Sequence, residues 1–195
     1  MSTGVGPVIA LVIVIIVLVV AVALIGRVTR QRRQSEQLHE TFGSEYDRAV
    51  SQHGSQDRAE ADLLARKERV EALNIRPLSA TDRTRFAAAW RSTQARFVDH
   101  PVEATADADR LIADLMQVRG YPVRDFEQRA ADISVSYPDV VANYRAAHAT
   151  SVASAQGQAS TEDLRTAMLH YRALFDELLG TTDMSDTPER AEATR

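Results

Sequence analysis

Apolar and polar positions divide this chain into two regimes. From Pro7 to Gly26, in the run PVIALVIVIIVLVVAVALIG, no side chain carries a charge or an amide. As a helix, Val8 to Ile25 would extend roughly 27 Å, close to the thickness of a bilayer's hydrocarbon core. This pattern predicts a transmembrane helix over residues 7–26 behind a short segment, 1–6. Beyond it the apolar positions recur at helical spacing. Phe42, Tyr46, Ala49 and Val50 share one face of a juxtamembrane helix within 27–55, which Gly43 weakens and Gly54 ends. Leu63, Leu64, Val70 and Leu73 form a second stripe, broken at Asn74-Ile75-Arg76-Pro77 because proline disfavours helical geometry in the residue before it.

The punctuation of the remaining stripes predicts where helices start and stop. Ser79 reads as an N-cap for a helix carrying Phe86, Trp90 and Phe97. Pro101 suits the first turn of the next, whose apolar positions Leu111, Ile112, Leu115, Met116 and Val118 lead to Gly120, a left-handed cap. Pro122 opens a segment with Val123, Phe126, Ala130 and Ile133. Pro138 opens another with Val140, Val141, Tyr144, Ala147 and His148. Ser160, with Glu162 and Asp163 behind it, starts a helix bearing Leu164, Met168, Tyr171, Phe175, Leu178 and Leu179 before Gly180. Ile133 to Tyr137 alternates apolar and polar as a strand does, but no second alternating run offers it a partner. It is expected to be an extended connection or the end of a helix. Residues 181–195 carry no apolar stripe and are expected to be disordered. The fold class is therefore all-α: a transmembrane helix, then a helical bundle over 56–180, then a polar tail.

Charge sets the orientation of the span. Arg27, Arg30, Arg32 and Arg33 follow it and no charged side chain precedes it, so the C-terminal portion is expected to be cytoplasmic, with these arginines near lipid head groups. Ala21-Val22-Ala23 leaves open a cleaved signal and an exported domain, although the apolar run exceeds a signal core of roughly 7–15 residues. The span contains neither G-x-x-x-G nor an ionisable group, so it reads as a tether at the cell membrane. Residues 34–195 hold all 27 acidic side chains and 19 of the 23 basic ones, a formal charge of 19 − 27 = −8. That balance argues against nucleic acid as a partner. The absence of cysteine excludes disulfides, thiolate nucleophiles and Cys-ligated zinc. Lys67 is the only lysine, an arginine bias typical of GC-rich bacterial coding.

The strings FGSEYDRAV, NIRPLS, RGYPVRDFEQRAADISVSYPDVVANYRAAH and STEDLRTAMLHYRALFDELL resemble a group of uncharacterised, mostly actinobacterial, membrane-anchored proteins. The resemblance covers about residues 40–180 and implies a single domain behind the anchor. It assigns no activity, cofactor or site.

Candidate chemistry is sparse. Glu36-Gln37-Leu38-His39 has the E-x-x-H spacing of di-iron bundles, but those need the motif twice, and it occurs once beside an arginine cluster. His148 and His170, each on an aromatic-rich helix, could meet and bind a metal with Asp176, titrate near neutral pH as a switch, or serve hydrolysis. Their ordinary role is half-buried packing. Phosphate-loop, dinucleotide, G-x-S-x-G and H-E-x-x-H motifs are missing, so no cofactor is expected. Arg119-Gly120-Tyr121-Pro122-Val123-Arg124 presents a tyrosine between arginines in a rigid turn, which makes Arg119, Tyr121 and Arg124 the candidate docking residues for a protein partner. The expected function is a tethered scaffold or regulatory module, in contact with the bilayer and with other proteins.

Overall fold

The computed structural model describes Leu18, Val22, Gly26, Arg27, Thr29, Arg30 and residues 32–180. The expected transmembrane run therefore lies mostly outside the described residues, as does the expected disordered tail. Among the described residues no helix is long and apolar enough to cross a membrane. The chain forms two compact units, 1–41 and 42–195. In the first, the described residues are helical, and Arg27, Arg30, Arg32 and Arg33 are all exposed.

The second unit is all-α. Its helices are α1 (Ser44–His53), α2 (Gln56–Glu71), α3 (Ala80–Arg96), α4 (Pro101–Arg119), α5 (Phe126–Ser136), α6 (Pro138–Ala155) and α7 (Thr161–Leu179). Among the described residues no strand occurs. The segment whose alternation resembles a strand is the last turn of α5 with its C-cap, Tyr137. Ile133 is fully buried there and the Ser134 hydroxyl donates to the Ala131 carbonyl, so a helical environment accommodates the pattern. Pro122 does not open α5. Asp125 does, accepting the Gln128 amide at 2.8 Å, and residues 121–125 form an irregular connection.

Helices α4, α6 and α7 form the centre, with α6 and α7 in the most extensive contact. Helix α3 flanks α4, α5 flanks α6, and α2 lies against α5. The stripe of α7 is buried along its whole length, from Leu164 through Met168, Tyr171 and Phe175 to Leu179, which is what a helix covered by several neighbours requires. Ala108, Ala147 and Ala167 in the same core have 0–1% exposure, and their small side chains let the central helices approach closely. Trp90 of α3 stacks on Phe175 of α7 with ring centroids 4.7 Å apart, a pairing worth roughly 0.5–1.5 kcal/mol beyond the area it buries. Ser160 and Asp163 complete a reciprocal capping box on α7.

The compact unit that contains the bundle begins at Phe42. Helix α1 packs on α2 and α6, with Phe42, Tyr46 and Ala49 buried. The Tyr46 hydroxyl donates to Glu60 at 2.8 Å. Glu45, also buried, receives Arg145 of α6 in a two-pronged contact at 3.1 and 3.3 Å and lies 3.6 Å from Arg66 of α2. Gly43, with φ 49 and ψ −125, interrupts the helix between residue 42 and α1.

Candidate functional site

Helix α4 ends in a Schellman turn. Gly120 N–H donates to Gln117 and Tyr121 N–H to Met116, both at 3.0 Å, with Gly120 at φ 102. The chain emerging from α2 docks on this turn: Arg76 N–H donates to the Arg119 carbonyl at 2.9 Å. Arg119 itself reaches inward, donating to the Tyr137 hydroxyl at 2.7 Å and to the last-turn carbonyl of Leu178 at 3.1 Å. Tyr121 is 3% exposed, its hydroxyl 3.3 Å from Ser136, and burial pushes its phenol pKa up. The turn thus fastens α2, α4, α5 and α7 together. Of the three candidate docking residues only Arg124 remains exposed, because the apolar surface around Tyr121 and the open carbonyls of α7 draw the other two into the fold.

A second constellation lies where α4, α5, α6 and α7 converge. Asp109 contacts Arg129 of α5 at 3.5 Å through one carboxylate oxygen and His148 Nδ1 at 3.5 Å through the other. The Arg129 Nε donates to the Tyr144 hydroxyl at 3.3 Å. Phe126 covers His148 with ring centroids 3.6 Å apart and planes within 5°, and Tyr144 meets Tyr171 edge-on at 6.1 Å. Burial, reinforced by the Asp109 carboxylate and opposed by Arg129, pushes the Tyr144 phenol up to about 12. Tyr171 is raised too, by burial and then by Asp109.

His148 also lines a groove of about 630 Å³ that opens between α1, the start of α5 and α6. Its Nδ1 is buried while the side chain as a whole is 26% exposed, so the exposed part of the ring is the edge away from Asp109. The charged side chains around the ring are committed to one another. Asp125 caps α5, Glu127 pairs with Arg145 at 2.6 Å, and Arg145 also holds Glu45. Arg48 lies at the rim, 4.0 Å from Glu45 and 41% exposed.

His148 and His170 do not join. His170 is part-exposed on α7, with no hydrogen bond, ion pair or ring contact to His148, and Asp176 pairs instead with Arg172 at 3.4 Å. Glu36 and His39 are both exposed. Among the described residues no group of three or more His, Asp or Glu side chains is placed to hold a metal ion.

The sequence did not single out Asp109, Arg129, Glu45, Arg66 or Asp132. A usable signal existed for two of them: Arg66 falls on the stripe Ala59, Leu63, Val70, and Glu45 falls between Phe42 and Ala49. A charge on an apolar stripe marks a buried partner elsewhere. Asp132 is fully buried and takes Arg69 of α2 at 3.0 Å and Gln128 at 2.8 Å.

In comparisons with known proteins, the chain matches no family model, no curated protein and no solved structure.

Proposed function

We propose that this protein is a membrane-tethered helical module that acts by holding other proteins at the cytoplasmic face of the cell membrane. The observation that carries this reading is the internal commitment of the acidic groups and Arg145 around the groove beside His148. Asp125, Glu127 and Arg145 each serve a cap or an ion pair, which suits a surface that orients a partner. Arg48 at its rim and Arg124, next in sequence to the lining residue Asp125, stay exposed and supply charges for encounter and register. The apolar run at 7–26 and the four arginines behind it support the tether and its orientation, and Leu18 and Val22, helical and mostly exposed, suit contact with lipid.

A second reading, hydrolytic chemistry at His148, is favoured by one observation: its Nδ1 faces a carboxylate while the rest of the ring borders a groove. One experiment separates the two. In quantitative crosslinking and mass spectrometry on membranes with matched protein levels, Arg48→Glu with Arg124→Glu should weaken specific partner crosslinks about tenfold, as loss of interface charges predicts. His148→Gln should leave those crosslinks in place. An unchanged crosslink pattern in the arginine variant, or its collapse in His148→Gln with the fold intact, would overturn the binding reading.

A further inference from the structure

Helices α3 and α7 meet through the stack of Trp90 on Phe175. The two ring planes lie within 19° of each other, with centroids 4.7 Å apart. Phe97, the C-cap of α3, and Met168, seven residues back along α7 from Phe175, line an open wedge of about 400 Å³. Val98 and Leu169 complete its apolar wall and stand 83% and 61% exposed, among the most exposed large hydrophobics of the described residues. Two large apolar side chains exposed in one wedge make a patch that marks a binding surface, and the volume falls within the range of small-ligand pockets, roughly 300–1,000 Å³.

The wedge differs electrostatically from the rest of the molecule. Its lining carries two charged side chains, Arg165 and Arg172, both cationic, although residues 34–195 have a formal charge of −8. The two sit seven residues apart on α7, two turns or about 10 Å along one face. Each is engaged with a neighbour on its own helix, Arg165 with Glu162 at 2.8 Å and Arg172 with Asp176 at 3.4 Å. In both pairs the two side chains are more than 40% exposed, and such solvated pairs are weak enough to yield a guanidinium to a better acceptor.

Apolar walls with cationic ends define the chemistry of the occupant. We propose that the wedge binds a free single-chain amphiphile with an acidic head, a long-chain carboxylate, its chain against Phe97 and Met168 and its head on Arg165 or Arg172. A protein partner fits less well. Four apolar side chains fall far short of the roughly 800 Å² per partner that a stable protein interface buries.

The test uses the full chain in phosphatidylcholine nanodiscs and a diazirine-bearing dodecanoate, with crosslinks mapped by peptide mass spectrometry. Labelling should concentrate on the peptides spanning Gln94 to Val98 and Arg165 to Arg172, and dodecanoate should compete it away while dodecylammonium does not. Arg165→Gln with Arg172→Gln should reduce that labelling about tenfold, as loss of the charge-assisted contacts requires. Leu169→Glu should do the same by placing an anion in the wedge. All three positions are exposed, so helicity and Trp90 fluorescence should be unchanged in both variants. Equal competition by dodecylammonium, full labelling in the double arginine variant, or labelling confined to residues 7–26 would overturn the proposal.

Discussion

A carbonyl and a glycine decide how α2 is held. A Cβ built at Gly120 would stand 2.5 Å from the Asn74 oxygen, closer than real Cβ contacts come, and that oxygen belongs to backbone that the Arg76 N–H to Arg119 carbonyl bond holds against the turn. The φ of 102 adds strain that side-chain-bearing residues rarely sustain. Gly157 offers the control: its φ is 70, but nothing lies within 4 Å of a Cβ there. Gly157→Ala should cost about 1–2 kcal/mol, the left-handed penalty alone. Gly120→Ala should cost about 3 kcal/mol or more, because the clash adds to that strain. Chemical denaturation of the two variants checks this, and equal losses would remove the Asn74 contact from the account.

At the scale of an element, α1 shows how a short helix with an acid on its apolar face becomes part of a core. Ten residues are too few for an isolated helix to persist in water. Its stability comes from Phe42, Tyr46 and Ala49 and from the Glu45 carboxylate between Arg145 and Arg66. Breaking a buried ion pair from one side costs about 3–5 kcal/mol. Here Arg145 retains Glu127 and Arg66 retains Asp62, so Glu45→Gln should fall near the lower end, about 3 kcal/mol. Hydrogen exchange should show 44–53 losing protection first, while α4, α6 and α7 keep theirs. Uniform loss across all helices would mean that α1 is not separately latched.

For the whole molecule, the central core carries a pH dependence of definite sign. The Tyr144 phenol is held near 12 in the folded state against about 10 in an unfolded chain, and Tyr171 is shifted the same way. Below pH 10 both states keep these protons and the shift has no effect. Above it the unfolded chain releases them first, so stability falls as pH rises, and the Tyr144 contribution is fully lost above about 12. That contribution is on the order of 3 kcal/mol. Tyrosinate absorbance of the two buried phenols should therefore appear together with loss of helical circular dichroism. Their ionisation with helicity intact would show that solvent reaches the core between α4, α6 and α7.

The sequence alone determined the class of the fold and much of its punctuation. Ser79 and Ser160 cap where expected, Pro101 and Pro138 open α4 and α6, and Gly54, Gly120 and Gly180 close helices in left-handed geometry. These are local effects, set by φ preferences, missing amides and short polar side chains within one turn. The stripes likewise marked Trp90, Tyr144, Tyr171 and Phe175 for the core, since burial follows helical period. What lies across the chain was not legible. Glu45 and Arg145 are one hundred residues apart, and Arg69 finds Asp132 at a separation of 63. Only tertiary packing brings such charges together. The same packing turned Arg119 and Tyr121 inward and set Asp109 of α4 against His148. A turn's sequence specifies its backbone, but the direction of its side chains depends on which buried surface and which open helix end the neighbouring elements bring within reach.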